Sequence, residues 1–179
     1  MSKLKVPVSS RDHQSGDPAA RIVIVEYGDY QCPHCGIAHP FVKKLLKKFD
    51  RDLRFIFRNF PLQEIHPVAM PAAQAAEAAG KRSKFWEMHD AIFDHQDELS
   101  HDLLFRFAKD FRLDLPQFLK DFKSKEVFEK VEQDFDSGIK SGVNGTPTFF
   151  LNGERINDYD ESYESLEKAI MMNLIYSER

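Results

Sequence analysis

The chain holds only two cysteines in 179 residues. That excludes a stapled disulfide framework, because a bridge across two intervening residues removes little loop entropy from the unfolded chain. No run approaches the ~18 consecutive apolar residues of a membrane-spanning helix. Met1 to Arg21 has no apolar stretch of the kind a secretory signal carries. Basic charge is not in excess: the formal net charge is −4, which leaves no nucleic-acid footprint. Low-complexity tracts and internal repeats are absent as well. What remains is an ordinary globular mixture, 42% hydrophobic and 30% charged, enough for one domain or a small domain with an insertion. Without a visible export signal the expected location is cytoplasmic; the alternative is an extracytoplasmic (periplasmic) chain whose signal has been removed.

The two cysteines form Cys32-Pro33-His34-Cys35. An apolar strand-like run, Ile22 to Val25, precedes them, and a helix-like run, Phe41 to Phe49, follows. A thiol where a strand hands over to a helix faces unpaired backbone N–H groups and the positive end of the helix dipole. That setting favours the thiolate, the form that attacks disulfides. Cys32, nearer the helix start, is the candidate nucleophile, and Cys35, one turn in, the resolving thiol. The competing reading is half of a zinc site. It needs two more ligands, no other cysteine exists, and His89, His95 and His101 are spaced by six, which is not one helix face. An inert pair is the third reading. His34 either donates to the Cys32 thiolate, tuning it, or is an exposed spacer. His39 reads as helix surface rather than chemistry. Glu26, at the end of the apolar strand, is either a semi-buried proton relay to Cys35 or a solvated strand-end residue.

The pattern along the chain is β-α-β, a helical block, then β-β-α. Residues 1–17 read as an irregular lead-in ending in turn signals. A helix over Pro33–Phe49 contains Pro40, where a kink is expected. Leu53 to Phe57 alternates as a strand, and strand-helix-strand implies a parallel pair with a right-handed crossover. Lys43, Lys44, Lys47 and Lys48 line the solvated face of the helix. From about 64 to 142 the patterns are helical: an Ala-rich helix over His66–Gly80, one through Phe85 and Phe93, and one capped by Ser100. Pro116 opens a fourth. The fifth carries Val127, Val131, Phe135 and Ile139 inward and ends at Gly142. Asn152-Gly153 marks a type I′ hairpin, and a last amphipathic helix carries Tyr163, Leu166, Ile170 and Leu174. In Gly145-Thr146-Pro147 the proline precedes a strand; X-Pro bonds are cis in only ~5–6% of cases, but beside a Cys-X-X-Cys site a cis proline would let the Thr146 backbone face the sulfurs and pair with a substrate strand.

Residues 25–35 (Val-Glu-Tyr-Gly-Asp-Tyr-Gln-Cys-Pro-His-Cys) and 142–153 (Gly-Val-Asn-Gly-Thr-Pro-Thr-Phe-Phe-Leu-Asn-Gly) resemble the DsbA-like thiol-disulfide oxidoreductases of the thioredoxin superfamily. Arg58 to Leu62 and Phe85 to His89 are similar to the bacterial branch of that group, whose domains occur alone or fused to sodium/proton antiporters. The likeness runs from about 18 to 176. It implies an α/β thioredoxin fold with an inserted all-helical domain: 18–62 and 143–179 thioredoxin-like, 63–142 the insert. It implies Cys32 as nucleophile, Cys35 as resolving cysteine, His34 as thiolate stabiliser, Glu26 as the acid beneath the site, and a cis Thr146-Pro147 bond, with Pro33, Thr146 and Pro147 facing substrate. Pro40 matches the kinking proline of the family's first helix. Founding members are exported oxidants.

The expected function is disulfide exchange with protein or peptide thiols through a mixed disulfide at Cys32. No cofactor and no metal enter, since the two sulfurs carry the electrons. A redox partner resets the site, and a monomer is expected. The rivals are a cytosolic reductase or glutathione-type transferase, and a redox-regulated binding module.

Overall fold

The computed structural model describes residues 2–177, with side chains to 175. Met1 of the lead-in and residues 178–179 of the last expected segment lie outside the described residues. In chain order the elements are β1 (His13–Gly16), β2 (Ile22–Gly28), α1 (Pro33–Phe49), β3 (Leu53–Asn59), α2 (Ala69–Gly80), α3 (Phe85–Asp94), α4 (His101–Asp110), α5 (Leu115–Phe122), α6 (Lys125–Lys140), β4 (Thr148–Leu151), β5 (Glu154–Arg155) and α7 (Tyr163–Ser177). Five strands form one mixed sheet in the order β1-β3-β2-β4-β5. β2 and β3 run parallel, joined by α1; β4 is antiparallel to β2. β2 and β3 are nearly continuous apolar runs because helices cover both faces of the sheet. Ile22, Ile24, Phe55 and Phe57 belong to the larger core, which also takes in the Ala-rich helix α2; Val25, Tyr27, Ile56 and Phe150 belong to the smaller one.

The lead-in is not irregular. His13 to Gly16 pairs antiparallel with β3, His13 opposite Phe57. A polar edge strand gains its stability from backbone bonds, so its side chains carry no apolar alternation. Arg58 ties down the preceding turns: its guanidinium makes two bonds to Asp12 (2.8 and 3.0 Å) and others to the carbonyls of Val6 and Pro7.

Helix α2 starts at Ala69 rather than His66, because the residue before a proline avoids the α region and Pro67 follows His66. On α6, Val127 and Val131 are buried but Ile139 is 54% exposed. Steps of four overshoot the 3.6-residue turn by about 40° each, so three steps carry Ile139 about 120° off the seam. Asp134, Ser137 and Gly138 take the buried face instead. At the β4–β5 turn, Asn152 and Gly153 both have positive φ (48° and 85°), as a type I′ turn requires.

Candidate active site

The site sits where β2 ends and α1 begins. Cys32 is the N-cap residue of α1 with Pro33 in its first turn, a position where the missing proline N–H costs nothing. Both cysteines are free thiols and buried. Cys35 N–H and Gly36 N–H converge on the Cys32 carbonyl (3.1 and 3.2 Å).

The electrostatics separate the two sulfurs. The Cys35 thiol donates to the Cys32 sulfur, burial opposes, and the Thr146 side chain and the backbone N–H groups of Cys35 and His34 add donors; the Cys32 thiol is lowered to about 5. Burial, the bond to Cys32 and the nearby Glu26 carboxyl push the Cys35 thiol well above its ordinary range. One sulfur is therefore ionised at neutral pH and the other keeps its proton. On the opposite side Thr146 offers its carbonyl, 3.3 Å from the Cys32 sulfur, and the Thr146-Pro147 bond is cis.

Glu26 lies in β2 between Phe57 of β3 and Phe149 of β4. It is buried, and its Oε1 has no hydrogen-bond partner among the described residues. Burial first, and then the Cys32 charge, pushes its carboxyl up to about 8. Glu26 thus holds a proton at neutral pH within electrostatic reach of both sulfurs.

His34 sits differently from its expected role. Its imidazole lies 3.0 Å from the Glu161 carboxylate, both half exposed, and the donor it gives Cys32 is its backbone N–H. His39 is not surface: α3 packs on its side of α1 and leaves it 6% exposed, stacked on Phe93. Of the three histidines weighed as zinc ligands, His89 bonds the Tyr30 hydroxyl (2.9 Å) while His95 bonds the Ala91 carbonyl.

Two residues that shape the site were given no role by the sequence, although Asp29 lies within the 25–35 motif. Asp29 is buried; its carboxylate accepts from Gln31 N–H (2.7 Å) and Leu62 N–H (2.8 Å) and lies 2.8 Å from His66 Nδ1. Its backbone accepts from Cys32 N–H and donates to the Cys35 sulfur (3.4 Å). Gln96, between α3 and α4, donates its amide to the carbonyls of Tyr30 (2.8 Å) and Cys32 (2.9 Å). Gly36 makes room for it: a Cβ there would stand 2.4 Å from the Gln96 amide oxygen. The helical segment thereby holds the cysteine loop through one side chain.

A family model described as thioredoxin matches residues 9–171. Among solved structures, a thioredoxin-like oxidoreductase from Silicibacter pomeroyi is 26% identical with a TM-score of 0.79, covering 92% of each chain. BdbD from Bacillus subtilis is 25% identical with a TM-score of 0.83, covering 94% of this chain and 95% of that one. Alpha-DsbA1 of Wolbachia pipientis is 25% identical with a TM-score of 0.79, covering 94% and 92%. The Na(+)/H(+) antiporter NhaA 3 of Salinispora tropica is 43% identical over 169 residues, which is 94% of this chain and 26% of that protein. The chain thus spans about a quarter of the length of the curated relatives it matches. Among the described residues no helix is long and apolar enough to cross a membrane. The fold is the thioredoxin fold in its DsbA-like form, with the helices α2 to α6 between β3 and β4. The cytoplasmic expectation does not stand. The matched structures are of the DsbA type, whose founding members are exported, and a signal-free stretch of sequence does not by itself place a chain in the cytoplasm.

Proposed function

The chain belongs to the thioredoxin family and is a thiol-disulfide oxidoreductase; from that premise we propose that it exchanges disulfides with protein or peptide thiols through a mixed disulfide at Cys32 that Cys35 resolves. The observation that carries the reading is the placement of Cys32 at the N-cap of α1, 3.3 Å from the carbonyl of the cis Thr146-Pro147 pair; the split between the sulfurs, Cys32 lowered and Cys35 raised, agrees with it. No cofactor is needed, because the cysteines act directly.

With the site oxidised, a substrate thiolate attacks Cys32 Sγ, the Cys32–Cys35 bond breaks, and Cys35 leaves as a thiolate that takes the Glu26 proton. A second substrate thiolate then attacks the substrate sulfur of the mixed disulfide, and Cys32 leaves as a stable thiolate. In reverse, the Cys32 thiolate attacks a substrate disulfide and expels one substrate thiolate; Cys35, giving its proton to the ionised fraction of Glu26, then attacks Cys32 Sγ and expels the second. Both directions balance two electrons without a further reagent. A stable Cys32 thiolate favours the reduced enzyme and hence the oxidising direction.

Substrate docks as an extended chain along Thr146-Pro147, opposite Pro33. The enzyme works as a monomer and is reset by a separate redox partner.

The test is exchange with a disulfide-bonded or reduced peptide. Cys32→Ser abolishes turnover, while Cys35→Ser accumulates mixed disulfides visible by mass. Turnover retained by the Cys32 variant would sink the assignment. Tight binding of a partner with no turnover in the unmodified protein would instead support a redox-regulated binding module.

A further inference from the structure

The geometry points to a second site: His39, His89 and Asp90 form a binding site for one divalent transition-metal ion of the zinc class. It lies between α1, which supplies His39, and α3, which supplies His89 and Asp90.

One donor atom from each residue lies within 4.8 Å of the other two. His39 Nε2 and Asp90 Oδ1 are 3.5 Å apart. Two ligands on a tetrahedral ion with bonds of about 2.0–2.1 Å stand about 3.3 Å apart, so this pair already has the spacing of a metal edge. At 6% exposed, His39 is deeply buried, and its Nε2 has no hydrogen-bond partner among the described residues. A buried orphan nitrogen aimed at a carboxylate 3.5 Å away is a ligand position awaiting a third atom. The Nδ1 of His89 is engaged by the Tyr30 hydroxyl at 2.9 Å. When Nδ1 donates that bond, the Nε2 lone pair is free, the outer contact that fixes the ring of a metal-binding histidine.

His39, His89 and Asp90 all open on a cavity of about 220 Å³, room for an ion and the waters that complete its shell. Two imidazoles and a carboxylate suit zinc, cobalt, nickel or copper rather than calcium or magnesium. Asp94, 3.8 Å from His39 Nε2, adds negative charge. Lys43 opposes: its ammonium holds the other oxygen of Asp90 at 2.8 Å. Its charge sets affinity below that of a closed structural site, leaving Oδ1 for the ion.

The active-site thiols also bind such ions when reduced, so the test uses the oxidised protein without any histidine tag. Co2+ is titrated in, followed by its visible absorption and by equilibrium dialysis, with Zn2+ as competitor. One equivalent per chain is expected, displaced by Zn2+, with affinity reduced at least about tenfold in both Asp90→Asn and His39→Gln. The thermal midpoint of the unmodified protein rises with Zn2+ and that of Asp90→Asn does not. Asp90 is 39% exposed, so its variant folds even if His39→Gln does not, and it then decides alone. No binding of Co2+ up to millimolar concentration, or binding equal in Asp90→Asn and the unmodified protein, overturns the proposal.

Discussion

Thr146 stands 3.3 Å from the Cys32 sulfur through its carbonyl, while its own buried hydroxyl has no hydrogen-bond partner among the described residues. The two groups serve different protonation states. The carbonyl accepts from the thiol; once Cys32 ionises, the hydroxyl is the group able to donate to it.

The rate of alkylation of Cys32 is therefore expected to rise through a midpoint near pH 5. Thr146→Val removes the hydroxyl and keeps the carbonyl. A hydrogen bond to a charged group contributes about 1.5–3 kcal/mol, so the midpoint moves up by about 1–2 pH units. Because the folded thiol lies below its ordinary 9.0, its contribution to the stability of the reduced protein is present above that value and is lost as pH falls through about 5. An unmoved midpoint in Thr146→Val would remove the hydroxyl from the account.

Glu26 carries the opposite sign. Its carboxyl is raised from 4.5 to about 8, so the folded state holds a proton that the unfolded chain has released. Stability is full below about 4.5, falls as pH rises to about 8, and then levels. The ceiling of that loss is on the order of 5 kcal/mol. Glu26→Gln should flatten the fall and leave the oxidised protein more stable at pH 8, measured by denaturant unfolding. The same variant should slow resolution of the mixed disulfide at pH 7 by about a hundredfold, because Cys35 loses its base. A variant less stable than the unmodified protein at pH 8 contradicts the buried, uncompensated carboxyl.

What could be read from the chain was local. Cys32, Cys35 and Glu26 sit on one continuous strand-turn-helix, and each helix of the insert announced itself by spacing. The rest was decided by elements that meet only in three dimensions. His39 read as surface because nothing in α1 says that α3 will cover it. Asp29 and Gln96 are polar loop residues with partners far away in sequence: Leu62 N–H and His66 for Asp29, the Tyr30 and Cys32 carbonyls for Gln96. His13 to Gly16 shows no apolar alternation, and the partners of His13, Glu77 and Phe85, lie far along the chain. Ile139 misled because a four-residue repeat drifts off a helix face.

Arg58 offers a test of the N-terminal segment. Its two bonds to Asp12 are buried, and a third donor reaches the Tyr27 hydroxyl at 2.9 Å. Removing one partner of a buried pair leaves a charge uncompensated, at about 3–5 kcal/mol. Arg58→Met should lower stability by that order and expose β1 to hydrogen exchange. Burial pushes the Asp12 carboxyl up, but the Arg58 bond and charge prevail and hold it below 3.8. The pair's contribution is thus present above that value and lost in acid. Unchanged exchange in β1 would show that the strand is held by β3 alone.

The pairing of His34 with Glu161, 3.0 Å apart, bears on the oxidising strength of the site. The position between the cysteines is where a cation would most stabilise the Cys32 thiolate, yet the imidazole is turned to a carboxylate. Glu161 both draws the ring aside and offsets its charge when it is protonated. Both groups are about half exposed, so solvent and salt screen the effect, and an exposed pair is worth at most about 1 kcal/mol. Glu161→Gln should lower the Cys32 alkylation midpoint by about half a pH unit or less. It should also make the site slightly more oxidising in a glutathione titration at low salt. Both effects should fade in 1 M salt, where the screening length falls to about 3 Å. His34→Ala in the Glu161→Gln background separates the two contributions: if the midpoint does not move back up, the imidazole does not act on Cys32, and the backbone N–H is His34's whole contribution.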